Sequence, residues 1–475
     1  MNKLRILGLL LATALFLSSF TACSPDGEKP LDVTTTTPGG EEITTTTDSS
    51  ATTNTTENIT TTAGSVSSQN SVGGATTTEK DKVTTTTART TPVTSVVATT
   101  TAPAGSDYDN SYFNYRDGLL NTYVKLKKDK KLTIAYMGGS VTYGIGTSDL
   151  SKSYRARTTA WLQEKFPDAT ITEVNAGVPS ACSAFGAHWV NEKVLSEAPD
   201  LVFLEYAIND YYARSIYSET DVSRHYETII RKLRQANPKC DIVALYTTDN
   251  TVSQLNTPYF DQVTIQDEIA ARYGIPSVHM GYQACQELNL KNGNSSAGWS
   301  TYFSDGVHPT AEGYARYASV LTRCLTTALI DAPAKLSNVT AVNKTMPAAK
   351  NSNLIMNSRY IAATDLVLES NTGWNKSTSG KGVGGFVTHE GDLYTNTANN
   401  EFTFKFTGKD VALFCDLFSC TVSYSIDGSP WASTTTNNHP MRLGKNSLEY
   451  GEHTVTIKCN NPSGKRFDIA GILVS

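Results

Sequence analysis

Residues 131–144 read KLTIAYMGGSVTYG, and the interpretation of the whole chain starts from this stretch. Apolar residues alternate with small or polar ones over its first half, and two glycines then precede Ser140. This composition predicts a short β-strand that ends in a sharp turn, because glycine accepts backbone angles that other residues avoid. Ser140 would then follow the carboxyl end of a strand, where ligand sites of open α/β sheets lie. An ordinary strand-to-helix turn is the alternative.

The bulk composition limits the classes of protein to consider. A chain of 475 residues is long enough for two domains, and a net charge of −5 gives no indication of nucleic-acid binding. Its eight cysteines show no CxxC spacing and its histidines do not cluster, so we predict no zinc site. We expect no cofactor. One or two disulfides are compatible with the sequence. Cys415 and Cys420 are the nearest pair, and buried thiols explain them equally well.

Residues 1–22 have the pattern of an export signal, with Lys3 and Arg5 before an apolar run that is too short for a lasting membrane anchor. The residues before Cys23 resemble a bacterial lipobox. We therefore predict a lipoprotein signal peptide, lipid modification of Cys23 and attachment to the outside of the cell membrane. A plain secretory signal with an incidental cysteine is the alternative, and it also places the protein outside the cytoplasm.

Residues 23–106 are rich in threonine, and this segment contains no aromatic residue. Such a composition cannot bury enough apolar surface to offset chain entropy, so a disordered linker is predicted. About 80 flexible residues span roughly 50 Å, which is enough to tether a folded domain to a membrane anchor.

Residues 107–332 alternate between strand-like and helix-like segments. This alternation predicts a three-layer α/β domain, in which helices cover both faces of a parallel sheet. The predicted strands cover residues 131–137, 169–174, 201–206, 241–246 and 276–280, and the predicted helices cover residues 112–127, 153–166, 185–195, 222–233, 260–273 and 309–329.

Residues 336–475 show only short alternating runs, which predict an all-β sandwich as an accessory domain. The predicted strands cover residues 402–406, 411–414, 421–426, 453–458 and 469–474. Trp374, Tyr394 and Trp431 would stack on sugar rings if they were exposed, and would fill the sandwich core if they were not.

Four short blocks of the α/β segment carry polar residues suited to acyl transfer. Ser140, the stretch NAGVPS at residues 175–180 and Asn209 follow three successive strands, and Asp305 with His308 precedes the last helix. The carboxyl ends of parallel strands share one edge of a sheet, so the first three blocks are expected to meet there. A serine hydroxyl needs a base, the base needs an orienting carboxylate, and the resulting oxyanion needs fixed donors.

This set of blocks resembles the SGNH/GDSL hydrolase superfamily over roughly residues 115–330. Ser140 matches the nucleophile, with Gly-Gly-Ser in place of the usual Gly-Asp-Ser, and Asn209 matches the oxyanion asparagine. Asp305 and His308 match the Asp-x-x-His pair. The resemblance implies a flavodoxin-like fold and a Ser-His-Asp mechanism without a catalytic metal.

The second block departs from the superfamily pattern. The glycine that would give an oxyanion N–H falls at Ser180, which still has a backbone N–H. Its use depends on the backbone angle at that position, and Gly177 is the fallback donor.

Together with the predicted export signal, the resemblance implies an exported esterase that removes acyl groups, with acetyl expected, from carbohydrate or polysaccharide. The β-sandwich is similar to the jelly-roll-like domains of carbohydrate esterases. A lipase or lysophospholipase with the same residues is one alternative, and a non-catalytic protein that binds wall carbohydrate is another. The expected partners are an acylated carbohydrate and, through Cys23, a bacterial membrane. We expect no nucleic-acid partner, and we expect a monomer.

Overall fold

The computed structural model describes residues 107–378, 391–415, 420–436, 439–444, 447–462 and 466–475. The predicted signal peptide, the lipidation site at Cys23 and the threonine-rich linker lie outside these residues. All of the described residues belong to one compact unit of the chain. We call residues 107–335 the α/β region and residues 336–475 the β region.

The α/β region is built on a six-stranded sheet. Its strands in chain order are β1 (Phe113–Asn114), β2 (Lys131–Gly138), β3 (Thr170–Gly177), β4 (Leu201–Glu205), β5 (Asp241–Leu245) and β6 (Ser277–Val278). They lie side by side in the order β1-β6-β5-β4-β2-β3. Strands β2 to β6 are parallel, as predicted, whereas β1 pairs antiparallel with β6.

Helices cover both faces of this sheet. They are α1 (Leu120–Val124), α2 (Ser140–Tyr143), α3 (Tyr154–Lys165), α4 (Ser183–Lys193), α5 (Ala207–Tyr212), α6 (Glu219–Ala236), α7 (Asp261–Arg272), α8 (Met280–Leu288), α9 (Trp299–Tyr302), α10 (Ala311–Thr326) and α11 (Ala332–Ala334). Alternate residues of β2 face two separate apolar cores: Ala135 and Met137 lie in one, and Ile134 and Tyr136 lie in the other. Burial on both faces explains why the central strands are apolar throughout.

The first predicted helix is shorter than its sequence pattern indicated. Residues 112–127 were expected to be helical, but Phe113 and Asn114 pair with β6 and helix α1 begins only at Leu120. Gly118 explains the late start, because its φ of +57° lies outside the helical range.

The β region contains two antiparallel sheets that enclose their own core, as the predicted sandwich required. Its strands are β7 (Arg359–Ala362), β8 (Leu368–Thr372), β9 (Asn375–Ser377), β10 (Asp392–Thr395), β11 (Glu401–Gly408), β12 (Val411–Cys415), β13 (Thr421–Ile426), β14 (Ala432–Thr435), β15 (Met441–Leu443), β16 (Gly451–Cys459) and β17 (Phe467–Val474). One sheet has the order β15-β12-β17-β10-β9, with β7 also paired to β17, and the other has the order β14-β13-β16-β11-β8.

The aromatic side chains that were candidates for sugar stacking have different environments. Trp374 lies in the sandwich core against Phe402, so the core alternative is correct for this residue. Tyr394 is covered by the guanidinium of Arg466, whose carbon lies 3.7 Å from the ring centre. Trp431 is 47% exposed.

The seven described cysteines are buried and unbridged. The closest sulfur pair given by the described residues is formed by Cys420, directly before β13, and Cys459, the last residue of β16, with 3.3 Å between the two Sγ atoms. Of the pair that is nearest in sequence, Cys415 ends β12 in one sheet and Cys420 directly precedes β13 in the other.

The two regions pack against each other through an apolar and polar contact around helices α4 and α6. The ring of Phe185 in α4 lies 4.5 Å from that of Phe414 in β12. Beside it, buried Lys232 of α6 donates to the carbonyl oxygen of Ser358 at 2.6 Å. Burial lowers the pKa of Lys232 to about 8. The β region is thus fixed to the face of the α/β region that includes α4, the helix directly after residues 175–182.

Candidate active site

Ser140 lies at the end of β2, where the backbone leaves the sheet and enters α2. The two preceding glycines are required by space: a Cβ at Gly139 would lie 1.9 Å from Asn209 Nδ2, and one at Gly138 would lie 2.3 Å from Thr142 Oγ1. These contacts exclude any larger residue at either position without rearrangement. They also bring the Ser140 turn directly against Asn209, as the sequence predicted.

The structure joins Ser140, His308 and Asp305 in a continuous hydrogen-bonded chain. His308 Nε2 lies 2.8 Å from Ser140 Oγ, and His308 Nδ1 lies 2.7 Å from Asp305 Oδ2. A carboxylate can only accept, so Nδ1 carries a hydrogen and Nε2 is left to accept the hydroxyl proton. This is the geometry expected of a serine nucleophile with an oriented base.

The loop before α10 holds Asp305 in place for this contact. The other carboxylate oxygen, Asp305 Oδ1, accepts the backbone N–H groups of Val307 and His308, each at 2.8 Å. Burial opposes ionisation of Asp305, but its hydrogen bonds with the His308 ring and these two N–H groups outweigh burial and lower its pKa. Asp305 is therefore an anion across the neutral range and keeps the imidazole in one orientation.

Two buried carboxylates lie behind the Ser140 turn. Glu205, at the end of β4, accepts the hydroxyls of Thr142 at 2.9 Å and Thr247 at 2.8 Å. Asp210 in α5 accepts the backbone N–H of Ser183 at 2.8 Å. Burial raises the pKa of each to about 7. Glu205 thus supports α2, and Asp210 joins the helix that bears Asn209 to the start of α4.

Asn209 and Ser180 line the same cleft as Ser140 and His308. Asn209 Nδ2 donates to the carbonyl oxygen of Ala181 at 2.7 Å, which fixes the amide beside the Ser140 turn. Ser180 has a φ of +63°, the left-handed backbone that glycine adopts freely and that costs other residues about 1–2 kcal/mol. The backbone angle at Ser180 is therefore the one that a glycine would supply.

Gly177 is held away from this chemistry. It is the last residue of β3, and its N–H donates to the side-chain oxygen of Asn175 at 3.0 Å. A Cβ there would lie 2.5 Å from the backbone nitrogen of Tyr143, and Gly177 is not among the described residues that line the cleft. Ser180 is therefore the better placed of the two predicted donors.

The cleft has a volume of about 330 Å³ and is lined by Ser140, Ser180, Asn209, Tyr212, Val307, His308 and His439. The sequence pattern did not identify Tyr212 or His439. Tyr212 is 39% exposed, and its hydroxyl donates to buried Asp249 Oδ2 at 2.5 Å. It lies three residues after Asn209 on α5, so helical spacing could have found it. His439 comes from the β region, and no sequence signal near it indicates a site.

The described ranges contain no group of three or more His, Cys, Asp or Glu side chains that could hold a metal ion. In the same part of the chain, no helix is long and apolar enough to cross a membrane.

Comparison with known proteins agrees with this geometry. Residues 136–316 match the GDSL-like lipase/acylhydrolase family. A search of curated proteins gave no match.

Among solved structures, the chain is similar to two crystal structures of a two-domain esterase (CEX) active on acetylated mannans, one of them co-crystallised with mannopentaose. Each alignment has 19% identity and a TM-score of 0.61, and covers 77% of this chain and 97% of that chain. At this identity the likeness shows a shared fold. Residues 136–316 are therefore similar to the GDSL-like lipase/acylhydrolase family, and the chain shares with this two-domain esterase the fold of a parallel-sheet α/β region followed by a C-terminal all-β region.

Proposed function

We propose that this protein is an exported serine esterase that removes short acyl groups, above all acetyl, from carbohydrate. The observation that carries the proposal is the hydrogen-bonded chain from Ser140 through His308 to Asp305. Export and lipid attachment at Cys23 are part of the proposal and rest on the sequence of residues 1–23.

The first half of the reaction forms an acyl-enzyme. Ser140 Oγ attacks the ester carbonyl carbon while His308 Nε2 takes the hydroxyl proton, and Asp305 stabilises the resulting imidazolium. The carbonyl oxygen becomes an oxyanion, which the Asn209 amide and the Ser180 N–H are placed to receive. His308 then gives the proton to the departing sugar oxygen, so the sugar leaves as an alcohol.

The second half releases the acyl group. Water attacks the acyl carbon of the Ser140 ester while His308 Nε2 takes a proton from it. Collapse of this second tetrahedral intermediate returns the proton to Ser140 Oγ and liberates a carboxylic acid. Protons balance over the cycle, and each turnover consumes one water.

The cleft favours a short acyl group over a lipid chain. Apart from Tyr212 and Val307, its lining side chains are polar. A long acyl chain would need an extended apolar wall, whereas a sugar can use an exposed aromatic ring and fixed hydrogen-bonding groups. The fold shared with an esterase described as active on acetylated mannans supports acetylated polysaccharide as the substrate class.

The test is acetate release from acetylated mannan and acetylated xylan by the full chain, with p-nitrophenyl acetate as a small reference ester. Ser140→Ala is expected to lose activity on all of them. Ser151→Ala is the matched control, because Ser151 Oγ donates only within its own loop, to Asp149 at 2.6 Å. Equal activity of Ser140→Ala and wild type would reject the proposal. Faster turnover of p-nitrophenyl octanoate than of p-nitrophenyl acetate would favour a lipase.

A further inference from the structure

The turn that carries the Ser180 N–H holds Ser180 in a backbone conformation that serine does not favour. The N–H of Ala181 donates to the carbonyl oxygen of Val178 at 3.0 Å, which closes a turn with Pro179 and Ser180 at its two central positions. Proline followed by a residue of positive φ is the pattern of a type II turn, and that second position usually requires glycine. Serine at this position needs support from outside the turn if the N–H is to keep its direction.

Two supports come from the α/β region and flank Ser180 without touching it. The N–H of Val178 donates to the carbonyl oxygen of Gly138 at 2.9 Å, and Asn209 Nδ2 donates to that of Ala181 at 2.7 Å. They fix the two ends of the turn.

The third support comes from the β region and reaches Ser180 itself. His439 Nδ1 lies 2.9 Å from the carbonyl oxygen of Ser180. A carbonyl can only accept, so His439 Nδ1 carries the hydrogen. The carbonyl group of Ser180 is bonded to its Cα, so it moves when the backbone rotates about the N–Cα bond. A rotation that relieved the positive φ would therefore carry the carbonyl oxygen away from the His439 ring. The contact therefore opposes that rotation.

The segment that bears His439 is anchored to both regions. The next residue, Pro440, accepts a hydrogen bond from the hydroxyl of buried Tyr217 at 2.8 Å. The chain then enters β15, which pairs with β12, and β12 packs on α4 through Phe414. These contacts fix the position of His439 beside the turn that precedes α4.

We propose that His439 is a positioning residue for the oxyanion hole: it holds the Ser180 turn so that the β region completes the active site of the α/β region. The inference rests on the esterase function proposed above. In this arrangement His439 acts on the transition state through Ser180 and does not need to contact the sugar.

The consequence is a loss of kcat with little change in KM, because the oxyanion exists only in the transition state and its intermediate. A complete loss of one oxyanion donor lowers kcat about 10²–10³-fold. Loosening a donor is expected to cost less, and we expect about a tenfold to hundredfold loss.

The experiment compares His439→Asn with His439→Leu in the full chain. The two side chains have nearly the same shape, but only Asn has an N–H donor at the position of Nδ1. His439→Asn should stay within about threefold of the wild-type kcat, and His439→Leu should show the loss stated above. The loss should be equal on p-nitrophenyl acetate and on acetylated mannan. Circular dichroism and thermal unfolding check that both variants are folded.

Repeating the comparison in the Ser180→Gly variant distinguishes a positioning role of His439 from a packing role. Ser180→Gly removes the backbone strain that His439 counteracts, so the cost of His439→Leu should shrink to about threefold or less in that background. Asn191→Ala is the control for the inter-region contact, because it removes the hydrogen bond that Asn191 Nδ2 donates to the Ser358 carbonyl oxygen at 3.1 Å, away from the segment that bears His439; it should keep the wild-type kcat.

Three results would overturn the inference. One is an unchanged kcat in His439→Leu, another is an equal loss in both Ser180 backgrounds, and the third is a loss confined to KM on the polysaccharide. Each of these requires an active wild-type enzyme, whereas failure of the proposed function would appear as an inactive wild type or an active Ser140→Ala. If His439→Leu does not fold, His439→Ala takes its place, because alanine also lacks the N–H donor: a loss of kcat that shrinks in the Ser180→Gly background supports the inference, and no loss or an equal loss in both backgrounds overturns it.

Discussion

Each region of the molecule contains a histidine paired with an aspartate, and the two pairs differ at the far ring nitrogen. In the α/β region His308 contacts Asp305 at 2.7 Å, and in the β region His453 contacts Asp427 at 2.6 Å. The other nitrogen of His308 meets the Ser140 hydroxyl, which can donate. That of His453 meets the Glu449 carbonyl oxygen at 2.8 Å, which can only accept.

The difference decides what each pair can do. A carboxylate on one side and a carbonyl on the other can both accept hydrogen bonds only when both nitrogens of His453 carry hydrogens, so these contacts favour the imidazolium form of the ring. Its hydrogen bond to Asp427 raises the pKa of His453, and the bond to the Glu449 carbonyl adds to this effect. His453 therefore links two segments of the β region and cannot serve as a base, whereas His308 keeps one nitrogen able to accept a proton. A His-Asp pair indicates catalysis only together with the group on its far side.

The largest expected effect comes from removing the two histidines in turn. His308→Ala should lower kcat on p-nitrophenyl acetate by about 10⁴-fold or more, because Ser140 loses its base. His453→Ala should leave kcat within about twofold, because its ring contacts the β-region residues Asp427, Glu449 and Phe406. Similar losses in both variants would remove the distinction between the two pairs.

Asn209→Ala should have the next largest effect. It removes an amide donor from the cleft and the bond that fixes the Ala181 carbonyl, and we expect kcat to fall about 10²–10³-fold with a nearly constant KM. Steady-state kinetics on p-nitrophenyl acetate measures both constants. A loss of less than about fivefold would show that Asn209 is not an oxyanion donor.

The variant Asp210→Asn tests the raised pKa of this buried carboxyl group through the free energy of unfolding. The pKa of Asp210 rises from an ordinary 3.8 to about 7, so the folded chain binds more protons than the unfolded chain between these values. The contribution of Asp210 to the free energy of unfolding therefore falls as pH rises between these two values. The asparagine of the variant does not titrate, so the variant lacks this decrease. Urea unfolding at pH 8 should show the variant more stable by on the order of 2–4 kcal/mol, with a difference near zero at pH 4. A difference independent of pH would contradict this assignment.

The smallest expected effect concerns the pair in the β region. In Asp427→Asn, asparagine can adopt the positive φ of 51° at this position, and the substitution removes the negative charge beside His453. The folded-state pKa of His453 is raised, so its stabilisation is present at low pH and is lost as pH rises through that pKa. The variant should be about 0.5–1 kcal/mol less stable near pH 6, and this deficit should shrink near pH 9. Urea unfolding of both proteins at the two pH values measures it.

Much of the α/β region could be predicted from the sequence because its strands are buried on both faces. Their apolar runs end at glycine or polar residues, and the blocks at Ser140, Asn209 and His308 are thereby brought to one sheet edge, as expected. Helix α8 was missed. Met280 was assigned to the preceding strand, but it begins this helix, and at Gly281 within the helix a Cβ would lie 2.5 Å from the backbone carbon of Thr247.

The part of the site that could not be predicted is the part that depends on tertiary contact. His439 lies 259 positions from Ser180, and its neighbours in the sequence carry no pattern that relates them to a cleft. It reaches the site because β15 pairs with β12 and β12 packs on α4 through Phe414, an arrangement that local periodicity does not encode. The angle at Ser180 is of the same kind, since serine alone does not favour a positive φ and the surrounding contacts impose it.

The central claim is that Ser140 is a nucleophile activated by His308. Its most direct test is labelling of the full chain with a fluorophosphonate, followed by mass spectrometry of the peptides. The account predicts one adduct, on Ser140, and much slower labelling in His308→Ala but not in His453→Ala. An adduct on another serine, or an unlabelled protein that still hydrolyses p-nitrophenyl acetate, would contradict it.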